Sequence, residues 1–241
     1  MYKIGTSEDL WYCREKYPDV FLDNFKRNSL KPLGHATVCR HIEQRINDHA
    51  SPLNILEVGH GALSPTFEVF KDQKSINLFG IDDYNPDITV SSVALNRLRN
   101  RYKNATFFSG YVGNDTSPEL PSNFFDLVYS VSVIEHLPVD DLPTFHSELH
   151  RIIKPGGLQV HSYDRPWGGD IMAMKDAIET SGFKWVDHPI TKDFWQLDIN
   201  RIRRVVFEHP FNVMDSFMYK MPRENRLLCN WATVIIKAKK V

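Results

Sequence analysis

The spacing of apolar residues along the chain changes character near residue 53. Before that point, apolar positions recur about four residues apart, which is the period of one face of an α-helix. This period predicts a helix over 36–48, and a second helix is expected over 8–17 because Ser7 can cap it and Pro18 would end it. Residues 1–50 are therefore expected to form a helical N-terminal extension.

After residue 53, short apolar runs alternate with stretches of helical period. The expected strands are 53–58, 76–81, 105–108, 125–130, 158–162, 183–186 and 231–236. The expected helices are 65–71, 92–102, 141–153 and 171–181. Such alternation is typical of parallel strands with helices on both faces of the sheet. The pattern predicts a single α/β domain over 1–241 with a doubly wound, Rossmann-like sheet.

The stretch 190–229, between the last two expected strands, is rich in aromatic and basic residues. It is too long for an ordinary hairpin loop, and long loops of this kind are commonly lids or binding segments. We expect an insert that covers the site, with arginines that could hold an anionic substrate.

Composition narrows the class of protein. With 42% apolar and 24% charged residues, the chain has the makeup of an ordinary soluble domain. Its net charge of -1 offers no basic footprint, so nucleic acid is not an expected partner. No apolar run is long enough for a membrane span, and three widely spaced cysteines fit reduced thiols in the cytoplasm.

The first candidate ligand-binding residues follow the first strand of this alternating region. Gly59 and Gly61 follow that strand, and glycines at such a turn let the backbone approach a ligand closely. Asp82 ends the second strand, where a carboxylate can accept hydrogen bonds from ribose hydroxyls. This arrangement serves NAD and S-adenosylmethionine alike, so the residues alone leave both cofactors open.

Four sequence blocks in order favour one of these two cofactors by resemblance. They are residues 54–61, 80–82, 125–137 and 151–157. Together they resemble the class I S-adenosylmethionine-dependent methyltransferases, in particular the type 11/12-like small-molecule family. The resemblance implies a seven-stranded, mostly parallel sheet whose last two strands form an antiparallel pair. It also implies methyl transfer from S-adenosylmethionine to a small polar acceptor, with O-methylation of a sugar or another metabolite expected.

The resemblance also assigns roles in cofactor binding. Glu57 would help to hold the methionine amino group, Gly59 and Gly61 would leave room for the methionine portion, and Asp82 would hold the ribose. Asp83 or Tyr84 would border the adenine, and the backbone at Ser130 would contact the methionine moiety. Tyr111 occupies the place where many members of the family have an acidic residue, so it is expected to stack on the adenine, or Asn114 or Asp115 would take the acidic role.

A hydroxyl acceptor would gain from a general base, and a histidine suits that role. His136, which follows the fourth strand, and His161, at the expected end of the fifth, are the candidates, with Asp164 beside the latter. Packing or capping is the structural alternative for His136. A divalent metal held by Glu135, His136 and His161 is a further alternative, but Ser132 stands where metal-dependent relatives have an acid, so no metal is assigned.

Two other functions remain open at this stage. An NAD-dependent oxidoreductase would share the glycine turn and Asp82, although it would not explain the other blocks. A non-catalytic partner subunit with a methyltransferase fold is the second alternative. Acceptor identity and oligomeric state are not predicted.

Overall fold

A computed structural model describes residues 3–4, 7–21, 31–48, 51–61, 64–83, 92–113, 119–165, 171–186 and 232–241. Its strands are β1 (Lys3–Ile4), β2 (Leu53–Val58), β3 (Ile76–Asp82), β4 (Ala105–Ser109), β5 (Phe125–Val131), β6 (Ile153–Arg165), β7 (Phe183–Trp185) and β8 (Ala232–Lys240). Its helices are α1 (Ser7–Lys16), α2 (Pro18–Phe21), α3 (Lys31–Asp48), α4 (Pro65–Phe70), α5 (Ser92–Arg101), α6 (Leu142–Ile152) and α7 (Ile171–Thr180). Two 3-10 turns, Ile134–His136 and Val139–Asp141, follow β5.

One sheet organises this part of the chain. Its strand order is β1-β8-β6-β5-β2-β3-β4, and β7 also pairs with β8. The strands from β2 to β6 are mutually parallel where they pair, whereas β8 runs antiparallel to β6, β7 and β1. The predicted doubly wound sheet, with an antiparallel pair formed by its last two strands, is therefore confirmed. The short edge strand β1 is an additional element in an extension that we expected to be wholly helical.

Each face of the sheet has its own hydrophobic core. Successive residues of β2 point to opposite faces, so that Ile55 packs with α1, α3 and α4, while Leu56 packs with α6 and α7. Every residue of the central strand β5 is buried. This is the burial expected of a parallel sheet that is covered by helices on both faces.

Two predicted elements have wrong boundaries in ways that matter for the site. The strand expected over 158–162 is longer, because β6 runs from Ile153 to Arg165. The segment 154–157, expected as a sharp turn before this strand, is instead an irregularity within it, where the register with β5 shifts. Helix α3 begins at Lys31, five residues before the expected start, since proline is tolerated in the first turn of a helix.

The expected insert over 190–229 lies outside the described residues, as do Tyr84, Asn114 and Asp115. Within the described residues, no helix combines the length and the apolar character needed to cross a membrane.

Candidate functional site

A cavity of about 540 Å³ lies at the carboxyl ends of the parallel strands. Open α/β sheets bind their ligands at this edge, and the volume is in the range of small-molecule sites. The cavity is lined by residues that include Lys31, Gly59, Gly61, Asp82, Asp83, Tyr111, Ser132, Val133, His136, Asp141 and Phe145. The structure thus brings together five of the seven expected cofactor residues and one of the three expected catalytic residues.

The glycine turn after β2 forms one wall. Gly59 and Gly61 have φ values of 70° and 64°, a left-handed conformation that favours glycine. A Cβ atom on Gly59 would lie 2.5 Å from Cγ2 of Val133, whereas a Cβ atom on Gly61 would meet nothing within 4 Å. Gly59 therefore allows two loops to pack closely, and the space beside Gly61 is open.

The Asp82 carboxylate is tied to the backbone of this turn. One of its oxygens accepts a 2.9 Å hydrogen bond from the Gly61 N–H, and the other accepts one of 2.9 Å from the Asp83 N–H. An ionised carboxylate has about four lone-pair directions. Asp82 is thus held in one orientation and retains capacity to accept further hydrogen bonds at the cavity.

The far wall carries Tyr111, whose hydroxyl donates a hydrogen bond to the Asp83 carboxylate. This bond raises the pKa of Tyr111 to about 12, so the phenol stays protonated at neutral pH. The side chain is 42% exposed, which makes it one of the larger apolar groups presented to solvent in the described chain. A ring in this position is available to a planar ligand.

Glu57 lies beneath the glycine turn and is not among the residues that line the cavity. Its carboxyl group is buried and accepts hydrogen bonds from Ser64 (2.5 Å) and Tyr129 (2.7 Å). Burial raises the pKa of Glu57 to about 7. Since Ser64 also caps α4 through the Phe67 N–H, Glu57 organises the turn from behind.

Ser130 and His161 also lie away from the cavity, in a buried polar chain between β5, β6 and α6. The Ser130 hydroxyl contacts His161 Nδ1 at 2.8 Å, and His161 Nε2 contacts Gln159 Oε1 at 3.0 Å. The same amide oxygen contacts His146 at 3.0 Å. Burial holds the pKa of His161 well below its usual value, so its imidazole is neutral. Asp164 lies within β6 opposite Thr233, and its side chain is outside the described part of the structure.

His136 is the expected catalytic residue that does reach the cavity. It closes the 3-10 turn after β5, is exposed, and lines the cavity together with Leu137 and Asp141. The neighbouring Glu135 is buried. Among the described residues, no group of three histidine, cysteine or acidic side chains could hold a metal ion, so Glu135, His136 and His161 do not form one.

Residues 56–160, which contain the glycine turn, Asp82, Tyr111 and His136, match a family model described as a methyltransferase domain. This segment of the chain is therefore similar to the methyltransferase domain family. No curated protein sequence matches the chain. Several solved structures resemble this chain at far below 25% sequence identity, and this likeness establishes the fold.

Three solved methyltransferases illustrate the likeness in fold. A TehB-like S-adenosylmethionine-dependent methyltransferase from Corynebacterium glutamicum is 13% identical, with 95% of this chain and 97% of that chain covered and a TM-score of 0.55. Phosphoethanolamine N-methyltransferase 2 from Haemonchus contortus, solved with S-adenosylmethionine, is 15% identical, with 85% of this chain covered and a TM-score of 0.52. This chain covers only 52% of that enzyme. Geranyl diphosphate C-methyltransferase from Streptomyces coelicolor is 13% identical, with 86% of this chain and 76% of that chain covered and a TM-score of 0.55.

Several residues that line the cavity were missed by sequence reasoning. Lys31 comes from α3, outside the segment that matches the family model. Asp141 precedes α6 and Phe145 lies in its first turn; the sequence placed this helix after β5 without indicating which side faces the cavity. The available signal was that α6 begins shortly after a strand whose carboxyl end borders the site.

Proposed function

We propose that this methyltransferase transfers a methyl group from S-adenosylmethionine to a small polar acceptor, with an oxygen atom of a sugar or another metabolite as the target. The observation that carries the proposal is the cavity in which Asp82 is held between the glycine turn and the Tyr111 wall. A ribose carries two adjacent hydroxyl donors, and Asp82 retains acceptor capacity for them. The open space beside Gly61 suits the narrow aminoacyl chain of the donor.

The adenine end of the donor is assigned to the opposite wall. Tyr111 supplies a ring face, and the Asp83 carboxylate that it holds is an acceptor for an exocyclic amine. Val112 and Phe145, which also line the cavity, provide apolar contacts for a purine. Within this proposal, the Tyr111–Asp83 pair takes the place of the acidic residue that many relatives have after the corresponding strand.

S-adenosylmethionine supplies a methyl group that is already activated on a sulfonium, so the protein has to align and deprotonate the acceptor. Alignment of two bound groups can lower a barrier by several kcal/mol. His136 lines the cavity and is exposed, so we assign it as the general base for a hydroxyl acceptor. His161 has both ring nitrogens engaged in the buried chain, and we assign it the role of holding Ser130 and β5 in place.

A small acceptor is supported by the character of the chain and of similar proteins. The net charge of -1 offers no broad surface for nucleic acid. The names of the Haemonchus and Streptomyces enzymes specify phosphoethanolamine and geranyl diphosphate, both small molecules. These acceptors are methylated at nitrogen and carbon, and the choice of oxygen here rests on His136 alone.

The first test is calorimetric titration of the purified protein with S-adenosylmethionine and S-adenosylhomocysteine. Asp82→Ala should weaken binding strongly and Gly59→Arg should abolish it, and circular dichroism verifies that both variants are folded. A thermal-shift comparison of S-adenosylhomocysteine with NAD separates the methyltransferase from an oxidoreductase. A folded wild-type protein that binds NAD and neither adenosyl ligand would refute the proposal.

The second test is a screen of sugars and other polar metabolites with radiolabelled S-adenosylmethionine. Label in an O-methyl product, lost in His136→Ala and retained with His161→Gln, is the expected outcome. Cofactor binding without label transfer to any class of acceptor would favour a non-catalytic partner subunit.

A further inference from the structure

His60 lies within the glycine turn, and the proposed function assigns it no role. Its neighbours Gly59 and Gly61 line the cavity, whereas the His60 side chain is buried and is not part of that lining. Its Nδ1 lies 2.7 Å from the carbonyl oxygen of Gly61. A carbonyl oxygen only accepts hydrogen bonds, so Nδ1 carries the hydrogen and donates it. Burial lowers the pKa of His60, so the ring is neutral at pH 7 and Nδ1 has its one N–H.

Both backbone polar groups of Gly61 are thereby held by side chains. Its N–H donates to Asp82 Oδ2 at 2.9 Å, and its C=O accepts from His60. These two groups belong to the peptide planes on either side of the Gly61 Cα, so the two bonds together constrain both backbone dihedral angles. Side-chain packing cannot do so, because a Cβ atom on Gly61 would meet nothing within 4 Å. Since glycine loses more conformational freedom on ordering than any other residue, external restraints matter most at such a position.

The ring of His60 is fixed by the elements behind the turn. A Cβ atom on Gly80 would lie 2.7 Å from His60 Cδ2, so the ring packs directly against the backbone of β3. The ring also meets Phe107 edge to face, with centroids 5.3 Å apart, and stacks on Phe67 at 6.0 Å. Gly80 and Asp82 are two residues apart on β3 and therefore face the same side of the sheet. One strand thus supports both of the side chains that hold the turn.

We propose that His60 is a positioning residue, which holds the Gly61 backbone in the conformation that the methyl donor requires. The inference rests on the proposed function and adds to it a side chain that acts through the turn without touching the ligand. Binding is favoured when the protein surface is ordered before the ligand arrives. Without the His60 hydrogen bond, the C=O side of Gly61 loses its restraint, and the donor has to order it on binding.

Two substitutions separate the hydrogen bond of His60 from its packing. His60→Phe keeps a ring among the aromatic side chains but has no donor, whereas His60→Asn places an amide N–H near the position of Nδ1 but lacks the ring. We expect His60→Phe to unfold within a few degrees of wild type and to bind S-adenosylhomocysteine about fivefold more weakly, in keeping with the net contribution of one hydrogen bond. His60→Asn should unfold at a lower temperature and keep its affinity within about twofold of wild type.

The protonation of the ring gives a measurement on the wild-type protein that does not depend on the folding of any variant. NMR of the histidine ring nitrogens should show His60 neutral and protonated at Nδ1 at pH 7. The control for the binding comparison is His150→Phe, near the end of α6, because His150 also packs edge to face on a phenylalanine, Phe183. This variant should bind S-adenosylhomocysteine as the wild type does.

Three results would overturn the inference while leaving the proposed function intact. A His60 ring protonated only at Nε2 would exclude the hydrogen bond to Gly61. A folded His60→Phe with wild-type affinity would mean that this bond does not serve binding. Weaker binding by His60→Asn than by His60→Phe would assign His60 a packing role. A wild-type protein that binds no adenosyl ligand would instead refute the proposed function and the positioning role with it, so the two failures are distinguishable.

Discussion

The carboxylate of Asp82 and the backbone N–H of Gly61 are joined by a hydrogen bond of 2.9 Å. This bond connects the end of β3 to the turn that follows β2, two neighbouring parallel strands. The glycine turn and the acidic end of β3, which are far apart in the sequence, are thereby held together. The contact makes Asp82 a support of the turn as well as a candidate ligand of the ribose.

Removal of the Asp82 carboxylate should affect binding far more than folding. We expect Asp82→Ala to weaken S-adenosylhomocysteine binding about 100-fold, since hydrogen bonds to a charged group contribute about 1.5–3 kcal/mol each. Calorimetric titration measures the change. Asp72→Ala, in an exposed turn after α4, is the matched control and should bind normally. Affinity of Asp82→Ala within threefold of wild type would contradict the assignment.

Alanine substitutions at the two glycines of the turn should affect different properties, stability at Gly59 and ligand affinity at Gly61. Each substitution costs about 1 kcal/mol through its positive φ, but only Gly59→Ala also clashes with Val133. Gly59→Ala should therefore lower the unfolding temperature more, and Val133→Ala should partly rescue it. Gly61→Ala should remain stable and lose affinity for S-adenosylhomocysteine, because its methyl group enters the open space. Thermal unfolding and calorimetry test both effects, and equal destabilisation by the two alanines would refute this distinction.

Tyr111 should contribute through its ring more than through its hydroxyl. Tyr111→Ala is expected to weaken S-adenosylhomocysteine binding about tenfold, the magnitude of one aromatic contact. Tyr111→Phe should weaken it less than threefold, because the ring remains and only the hydrogen bond to Asp83 is lost. Tyr12→Phe, on α1, is a control that should not alter binding. A larger effect of Tyr111→Phe than of Asp83→Asn would indicate that the hydroxyl itself contacts the ligand.

Buried histidines should make the fold sensitive to acid. Burial lowers the pKa of His35 to about 3 and that of His146 to about 4, and it lowers the pKa of His161 as well. The unfolded chain binds protons on these groups below pH ~6.5, whereas the folded protein does not. Their stabilising effect is complete above that pH and is lost as the pH falls, by about 2 kcal/mol per histidine between pH 6.5 and 5.

Urea unfolding at pH 7.5 and pH 5.0 measures this loss. The free energy of unfolding should fall steeply in the wild type and less steeply in His146→Gln. His136→Gln, at an exposed position, should follow the wild type. An unfolding free energy that does not change between the two pH values would show that these histidines are not held neutral.

Glu57 should have the opposite dependence on pH. Its pKa is raised to about 7 by burial, so the folded protein favours the protonated form. The cost of burying its charge is complete above pH 7 and disappears as the pH falls toward the ordinary pKa. Glu57→Gln should therefore be more stable than wild type by at most about 3 kcal/mol at pH 8. The difference should vanish near pH 4.5, and urea unfolding at the two pH values tests this, with Glu15→Gln at an exposed position as the control. A less stable Glu57→Gln at pH 8 would mean that the ionised carboxylate is favoured.

Some elements could be predicted from the sequence because they depend on residues that lie close together along the chain. The strand over residues 53–58 is bounded as expected, since it is an apolar run that ends at a glycine turn. The edge strand β1 was missed because two residues carry no periodic pattern. The start of α3 was placed too late, since no apolar period precedes its first turn.

The candidate site likewise contains residues that the sequence placed correctly and residues that it did not. Gly59, Gly61 and Asp82 were predicted to share a site and do line one cavity. His161 was expected at a strand end, but β6 continues to Arg165, which leaves this histidine in mid-strand and buried. Because side chains alternate between the two faces of a strand, its position decides whether it faces solvent or the core.

The sequence by itself determined the alternation of strands and helices, the carboxyl-edge location of the site and the methyltransferase blocks. These follow from hydrophobic period and from residues that lie close together along the chain. Only the tertiary structure decided that Glu57 and His161 lie behind the cavity and that Lys31 lies in it. Those facts depend on which elements pack together, and packing brings α3 to the ends of β5 and β6 across about 100 residues of chain.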